Sequence, residues 1–239
     1  MAVDYWSVPP MWRGETVVIV ASGPSLSDEQ LALCRDRARM IVINDNYLRA
    51  PWADLHYFCD SKWFNWSRDF ESPAQEPFGR ERALKLFHSF EGRRAALESA
   101  ISVRPLEPTI KFLRNDSNKK KTTTPGGICW EPDGLRTGRN SGYQTINLAY
   151  HTGASRVLLL GYDMHSSGAN SHWFGKQPVM QAGRPVKQSG DPDHAVYASS
   201  YLPHFPTLAR ELVGKMEVIN CTPNSALKAF PWRPLEDML

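Results

Sequence analysis

The sequence predicts an α/β protein, with a Rossmann-like, mostly parallel sheet of about six strands, helices on both faces and an inserted helical cap. Apolar runs rich in β-branched residues, such as 17–21, lack the alternation of half-exposed strands and indicate strands buried on both faces. These runs alternate with helical stretches, an order typical of a parallel sheet. A chain of 239 residues with 41% hydrophobic content can bury such a sheet. We therefore expect a single α/β domain over residues 1–239, with the cap at 61–103.

The first predicted strand, residues 17–21, stops at a turn of small residues and passes directly into a helix. Ser27 is a predicted N-cap and Gln30 follows three residues later, the spacing of a capping box. A tight turn and a helix start aim N–H groups at one point, which suits a phosphate or carboxylate. The G-x-G-x-x-G fingerprint is absent, and the pattern also occurs in α/β cores without a ligand. The candidate binding residues of this turn are Ser22, Gly23, Pro24 and Ser25.

Polar or small residues also stand where the later predicted strands end. These strands are 40–44, 55–60, 156–163 and 216–221. Their ends carry Asn44, Asp60, Gly161, Tyr162, Asp163 and Asn220. Because ligands of open parallel sheets lie at the carboxyl ends of the strands, these residues predict a polar ligand site, specifically a nucleotide-binding one.

The segments between the strands supply the remaining candidates. The cap is rich in aromatic residues, and we expect helices near 80–90 and 92–102, followed by a strand at 109–113 and a loop that reaches residue 137. Asn140 and Ser141 are predicted N-caps of the next helix, and Gly142 belongs to the same helix start. The irregular segment 164–193 is predicted to be an active-site lid, with a helix from about 194 to 215 after it.

Composition narrows the classes of protein that need to be considered. The net charge of +3 does not demand a strongly basic nucleic-acid surface. The four cysteines show no C-x-x-C spacing, so we expect reduced thiols. No apolar stretch approaches the ~20 residues of a membrane span, and the N-terminal residues lack the apolar core of a signal peptide. We expect a soluble, cytoplasmic protein.

Five motifs occur in the same order as in a known family. They are Ala-Ser-Gly-Pro-Ser-Leu at 21–26, the strand end at Asn44, Asn-Ser-Gly at 140–142, Leu-Gly-Tyr-Asp at 160–163 and Asn-Cys-Thr-Pro-Asn-Ser at 220–225. In these motifs the chain resembles the bacterial sialyltransferases of the GT-A-like, metal-independent type and related phage and prophage proteins. It is similar, more distantly, to hydroxymethylpterin diphosphokinase-like domains. The resemblance implies a protein of a bacterial or phage-infected host cell.

The resemblance also implies roles for individual residues. Donor-site candidates by position are Ser22, Gly23, Pro24, Asn44, Asp60, Asn140, Ser141 and Gly142. Ser22 and Asp60 stand where those enzymes have asparagine, and His165 and His172 replace two tyrosines that contact the donor phosphate. Gly138 occupies the place of the family's arginine, with Arg139 after it. The nearest match to the family's histidine base is His194, with His204 as the second candidate.

These residues suit a glycosyltransferase that uses a nucleotide-sugar donor. A histidine base, here His194, deprotonates an acceptor hydroxyl, because imidazole titrates near neutral pH. The charge that grows on the leaving phosphate needs cationic or N–H groups, which His172, Lys176 or Arg139 and the helix starts supply. No cofactor is required, although Asp191 and Asp193 resemble a D-x-D motif and would hold Mg²⁺ or Mn²⁺ if they bind metal.

Two other classes of function remain open from the sequence. A pyrophosphokinase-like phosphoryl transferase would need magnesium and carboxylates, which Asp60, Asp163 and Asp191 offer. A non-catalytic nucleotide-binding phage protein would keep the strand-end site without needing the histidines. The acceptor is predicted to be a glycan or modified DNA, and an oligomer is compatible with the sequence. For DNA, the expected phosphate contacts are Lys119, Lys120, Lys121, Arg93 and Arg94.

Overall fold

A computed structural model describes residues 4–118, 126–167, 170–175, 179–181, 184–186 and 196–239. Within these residues, one sheet contains the eight strands β1 (Thr16–Val20), β2 (Arg39–Ile43), β3 (Leu55–Phe58), β4 (Arg93–Leu97), β5 (Lys111–Asn115), β6 (Gly134–Leu135), β7 (Arg156–Leu160) and β10 (Glu217–Asn220). Their order is β10-β7-β1-β2-β3-β4-β5-β6, and each neighbouring pair is parallel. A separate antiparallel hairpin contains β8 (Val179–Gln181) and β9 (Arg184–Val186). The predicted parallel α/β fold is confirmed, with eight strands rather than about six.

Helices cover both faces of the sheet, because the strands are apolar on both sides. In β1, Val18 and Val20 pack into one buried cluster and Val17 and Ile19 into the other. The first cluster is covered by α1 (Asp28–Cys34), α2 (Ser61–Asp69) and α3 (Arg80–His88). The second is covered by α4 (Ser141–His151) and α5 (Phe205–Leu212). Among the described residues, no helix combines the length and the apolarity that crossing a bilayer requires.

The predicted helical cap, 61–103, is helical in its first part, where α3 agrees with the predicted helix 80–90. Its predicted second helix, 92–102, is instead strand β4 followed by a short 3-10 helix, Glu98–Val103. Ala95 and Ala96 pair with β3 on one side and with β5 on the other, Leu97 pairs with β5, and all three are buried. Alanine favours a helix by its intrinsic propensity, but here its small side chain suits a central strand that is buried on both faces. The last part of the segment therefore adds a strand to the sheet.

The predicted helix 194–215 is divided into three shorter pieces. A π-helix covers Tyr197–Tyr201, a 3-10 helix covers Leu202–His204, and α5 begins at Phe205. Prolines stand near the start of the last two pieces, where a missing N–H costs least. The π-helix is therefore a separate element that precedes α5.

The strand order sets where a ligand can bind. From β1 the chain adds strands β2 to β6 on one side, and it later adds β7 and β10 on the other side. The direction of winding therefore reverses between β1 and β7. In open α/β sheets such a reversal leaves a crevice outside the carboxyl ends of the two strands.

Candidate functional site

A cavity of about 490 Å³ lies at the carboxyl ends of the strands, across the β1–β7 reversal. Pockets that hold small organic ligands span roughly 300 to 1,000 Å³, so this one accommodates a nucleotide-sized molecule. It brings together most of the residues predicted from the sequence: Ser22, Gly23, Asn44, Asp60, Asn140, Ser141, Gly142, Gly161, Tyr162, Asp163 and His172. Pro24, Ser25 and His165 are not among its lining residues.

The turn after β1 packs directly against the end of β7. The Gly23 N–H donates to the Gly161 carbonyl over 2.9 Å, and the Ala21 N–H donates to the Leu160 carbonyl over 2.9 Å. A Cβ atom on Gly23 would overlap the Asp163 carboxylate and the Gly161 carbonyl. Gly23 is therefore required by the close approach of two strand ends, and this contact forms the floor of the cavity.

Asp163 stabilises this floor through Ser25. Its carboxylate accepts from the Ser25 N–H over 3.1 Å and from the Ser25 hydroxyl over 2.9 Å. Burial raises the pKa of the Asp163 carboxyl, despite these hydrogen bonds. Asp163 and Ser25 thus hold the turn. Ser25 and Pro24 do not line this cavity, and Pro24 borders a neighbouring groove, so direct contact of these two residues with a ligand stays a prediction.

The start of α1 does not face the cavity as an anion site. Ser27 and Gln30 form the predicted capping box, which occupies two of its N–H groups. Asp28 and Glu29 occupy its first turn, and their carboxylates would repel a phosphate. Of the two helix starts predicted to bind an anion, the one that lines the cavity belongs to α4.

The start of α4 offers unpaired N–H groups to the cavity. Asn140 caps it, accepting from the Tyr143 N–H over 2.8 Å through its side-chain oxygen. As in any α-helix, the N–H groups of the first turn, here those of Ser141 and Gly142, have no acceptor within the helix. No acidic residue lies in this first turn. Because both residues line the cavity, this helix start is suited to an anion.

Two cationic side chains line the same cavity as this helix start. Arg139 precedes it, has an exposed side chain and adopts a left-handed backbone with φ of 64°. That conformation is unfavourable for a residue with a Cβ atom and is often associated with functional sites. Lys62 lies over the Trp66 ring, with its Nζ 4.7 Å from the ring centroid. The side chains of Arg139, Lys62 and Trp66 all belong to residues that line the cavity.

Asn46, which the sequence analysis did not single out, organises the β1 and β2 ends. Its side chain is fully buried, and its Nδ2 lies 3.1 Å from the Val20 carbonyl and 2.9 Å from the Ile43 carbonyl. Nδ2 also lies 3.0 Å from the Ser22 hydroxyl oxygen, which accepts from it. Ser22 therefore keeps its own hydroxyl proton to donate to a ligand.

Asn44 presents an acceptor that no described residue satisfies. Its backbone is left-handed, with φ of 50°, and its carbonyl lies 2.9 Å from His56 Nε2. Burial and the nearby Arg94 charge lower the pKa of His56, so the ring is neutral and Nε2 carries the proton that it donates. Asn44 Oδ1 is buried and has no hydrogen-bond partner among the described residues. Because Asn44 lines the cavity, this oxygen is suited to a hydroxyl or amino group of a ligand.

Cys59 and Asp60 line the cavity where β3 joins α2. Asp60 caps α2, accepting from the Trp63 N–H over 2.7 Å. Cys59 Sγ lies 3.2 Å from the Ser141 hydroxyl. Burial raises the pKa of the Cys59 thiol to about 11, so it is not a thiolate nucleophile at neutral pH.

Tyr162 supports the cavity wall from within the core. It is 1% exposed, and its hydroxyl donates to the Gly142 carbonyl over 2.9 Å. Its N–H donates to the Thr222 hydroxyl, and the Asp163 carbonyl accepts from the Ala226 N–H. The motif at 220–225, with buried Asn220, is therefore structural, since it fastens the β7 end.

The histidines differ in their positions. His172 lines the cavity, its Nδ1 lies 2.9 Å from the Ser171 hydroxyl and its ring stacks on Phe174. His165 does not line it, and its Nδ1 and Nε2 lie 3.1 Å from the carbonyls of Ser166 and Asn224, respectively. His204, also outside the lining, has a pKa lowered by burial and by Arg139. His194, Lys176, Asp191, Asp193 and Lys119 to Lys121 lie outside the described residues.

Aromatic residues that the sequence analysis missed complete the lining. Tyr197 and Tyr201 lie on the π-helix, with ring centroids 5.7 Å apart, and both border the cavity. Short π-helical turns recur at functional sites. The only sequence signal for these two tyrosines was their position after the predicted lid.

Carboxylates are few in the described lining, which contains Asp60 and Asp163. A group of Asp116, Cys129 and Glu131 elsewhere has ligand atoms within 4.8 Å of one another. The Asp116 carboxylate already forms ion pairs with Arg114 over 2.7 Å and with Arg136 over 3.1 Å. We therefore interpret this group as part of an ion-pair network.

The predicted DNA contact at Arg94 is wrong. Arg94 is 8% exposed, and its guanidinium donates to the Phe87 carbonyl and lies 3.8 Å from the Glu107 carboxylate. Its neighbour Arg93 is exposed and lies over the Trp6 ring. A buried guanidinium cannot reach a phosphate backbone.

No protein-family model matches the chain, and no curated protein sequence matches it. Among solved structures, it is similar to the sialyltransferase CstII from Campylobacter jejuni, in complex with a substrate analogue, cytidine-5'-monophosphate. The TM-score is 0.48 and the identity 13%, and the match covers 93% of this chain and 86% of that chain. At this level the roles of the cavity residues have to rest on their own geometry.

Proposed function

We propose that this protein is a glycosyltransferase that binds a nucleotide-sugar donor in the β1–β7 cavity and transfers the sugar to an acceptor hydroxyl. The observation that carries the proposal is the placement of two kinds of group in one cavity. Ser22 and Asn44 offer a hydroxyl proton and a buried acceptor at the ends of β1 and β2. The α4 start and Arg139 offer N–H groups and a positive charge. Binding of a nucleotide requires both kinds of group, the first for its nucleoside and the second for its phosphate.

In this proposal the nucleoside lies over the β1 and β2 ends and its phosphate lies at the α4 start. The Ser141 and Gly142 N–H groups and the Arg139 guanidinium stabilise the charge that develops on the phosphate as the sugar leaves. The transferred sugar lies toward Lys62, Trp66 and the tyrosine pair. The order of the five sequence motifs supports this assignment independently of the geometry.

The transfer itself is a displacement at the anomeric carbon. The acceptor oxygen forms a bond to that carbon, the bond to the phosphate oxygen breaks, and the acceptor proton passes to a base. The resemblance assigns the base to His194, and we retain it as a proposal. His172, which lines the cavity, is placed in the proposal beside the leaving phosphate, where it donates a hydrogen bond.

The first test is a calorimetric panel of CMP, CDP, UMP, UDP, GDP and ADP, with and without manganese. The variants are Arg139→Gly, which suits the left-handed backbone, and Arg139→Lys, which keeps the charge. We expect one nucleotide to bind, Arg139→Gly to weaken it by about tenfold, and Arg139→Lys to retain most of the affinity. The corresponding nucleoside, lacking a phosphate, should bind all three proteins equally.

Donor hydrolysis, with water in place of the acceptor, then tests catalysis. We expect His194→Asn to abolish release of the sugar while the nucleotide still binds. Unchanged hydrolysis in that variant would exclude His194 as the base. Binding without any hydrolysis would favour the non-catalytic nucleotide-binding protein, and pyrophosphate transfer that a chelator abolishes would favour the pyrophosphokinase class. No binding of any nucleotide would contradict the proposal.

A further inference from the structure

Trp173 fastens the 170–175 segment to the sheet by two hydrogen bonds. Its N–H donates to the Ser22 carbonyl over 3.0 Å. Its indole Nε1 donates to Asn46 Oδ1 over 2.9 Å. The segment is thereby attached to the carboxyl ends of both β1 and β2, at the rim of the cavity.

The Asn46 acceptor is held in a fixed direction. Its Nδ2 group is bound to the Val20 and Ile43 carbonyls, at the ends of the same two strands. Since the amide plane is fixed by these contacts, Oδ1 points toward the indole. The hydrogen bond is therefore specific to a ring N–H at this position, which tryptophan has and phenylalanine lacks.

The indole ring is also packed by its neighbours. Arg49 lies over it, 5.0 Å from the ring centroid, and is itself held by Asp28 over 2.6 Å. The rings of Phe78 and Phe174 approach it edge to face, with centroids 6.4 and 5.0 Å away. Replacing the indole by a phenyl ring would keep most of this packing.

His172 depends on this attachment for its place in the cavity. It precedes Trp173 directly, and a tight turn joins it to Gly175 through reciprocal backbone hydrogen bonds of 2.9 and 3.0 Å. Its ring stacks on Phe174, with centroids 5.0 Å apart. With Trp173 fixed to the strands and the turn closed, the His172 side chain is directed into the cavity.

We propose that Trp173 is a positioning residue for the transfer reaction: its hydrogen bonds to Ser22 and Asn46 hold His172 against the leaving phosphate. This inference rests on the proposed function for its catalytic consequence. Ser22 links the two parts of the site, because its carbonyl binds Trp173 and its hydroxyl lines the cavity. Loss of the attachment should therefore slow transfer more than it weakens nucleotide binding.

The test uses Trp173→Phe, with Trp232→Phe as the matched control, since Trp232 is 51% exposed. Amide hydrogen exchange of residues 170–175 without ligand measures the attachment alone. We expect exchange to accelerate by about tenfold in Trp173→Phe and to stay unchanged in the control. Unaltered exchange in Trp173→Phe would overturn the attachment, whether or not any nucleotide binds.

Turnover of the donor measures the consequence. We expect Trp173→Phe to lower kcat by about tenfold or more, with the Kd for the nucleotide within about threefold of the wild type. In a His172→Ala background, Trp173→Phe should lower kcat no further, because both changes remove the same interaction. Equal losses in both backgrounds, or a fall in affinity that matches the fall in kcat, would overturn the positioning role. A wild type that binds no nucleotide would refute the proposed function and leave the exchange result standing.

Discussion

At the scale of the residue, two asparagines that follow β2 have opposite roles. The Asn46 side chain forms hydrogen bonds with the strand ends and with Trp173, whereas the buried Oδ1 of Asn44 has no partner among the described residues. Asn44 was predicted at a strand end from the sequence, and residue type could not distinguish its role from that of Asn46. The distinction depends on which carbonyls lie within reach, which only the packed strands determine. Asp163 is a similar case, since its partner Ser25 lies 138 positions away in the chain.

A pH-dependence prediction follows from Asp163. Because burial raises its pKa in the folded state, the folded protein binds this proton more tightly than the unfolded chain does. Its contribution to stability is therefore complete below the unfolded pKa and is lost as the pH rises through the folded pKa. We expect the difference in unfolding free energy between the wild type and Asp163→Asn to fall from about pH 4 toward neutral pH.

Denaturant unfolding of both proteins across that range measures the difference. Asp45, whose pKa burial also raises, is present in both proteins and cancels. A difference that is flat, or that grows as the pH rises, would contradict the assignment.

At the scale of the element, local patterns predicted most strands and misassigned one. The apolar runs of β1, β2 and β7 were recognised as buried strands, and those of β1 and β2 are rich in β-branched residues, which favour strands. β4 was taken for a helix because its alanines carry no strand preference, and its pairing with β3 and β5 overrides their propensity. The anion-binding helix start was predicted twice, at α1 and at α4. The acidic first turn of α1 disfavours an anion at that helix start, whereas the start of α4 lines the cavity.

The contact between the β1 turn and the end of β7 gives a prediction at this scale. Gly23→Ala would place a Cβ atom onto the Gly161 backbone and the Asp163 carboxylate. We expect the free energy of unfolding to fall by about 1 to 3 kcal/mol, as for an overpacked core. Gly126→Ala is the control, since its Cβ would lie 3.7 Å from the nearest atoms, and it should change stability by less than about 1 kcal/mol.

Thermal or denaturant unfolding of the wild type, Gly23→Ala and Gly126→Ala measures these differences in stability. Equal stability of Gly23→Ala and Gly126→Ala would show that the two strand ends can separate without cost.

At the scale of the whole molecule, the order of the strands creates the site. Residues 22–23, 44, 60, 140–142 and 161–163 are dispersed along the chain, and they meet because β1 lies between β2 and β7. The convergence of strand ends could be predicted from the sequence, since parallel strands share a carboxyl edge. The part played by Tyr197 and Tyr201 could not, because it depends on a π-helix that no simple periodicity indicates.

The most direct measurement is an amide NMR titration of the labelled protein with the nucleotides of the panel, followed residue by residue. A nucleotide bound across the β1–β7 reversal should shift the amides of Ser22, Asn44, Ser141 and Gly142 together, with one saturation curve. The corresponding nucleoside should shift Ser22 and Asn44 while leaving Ser141 and Gly142 in place. Shifts confined to other surfaces, or none with any nucleotide, would contradict a nucleotide site at the carboxyl ends of these strands.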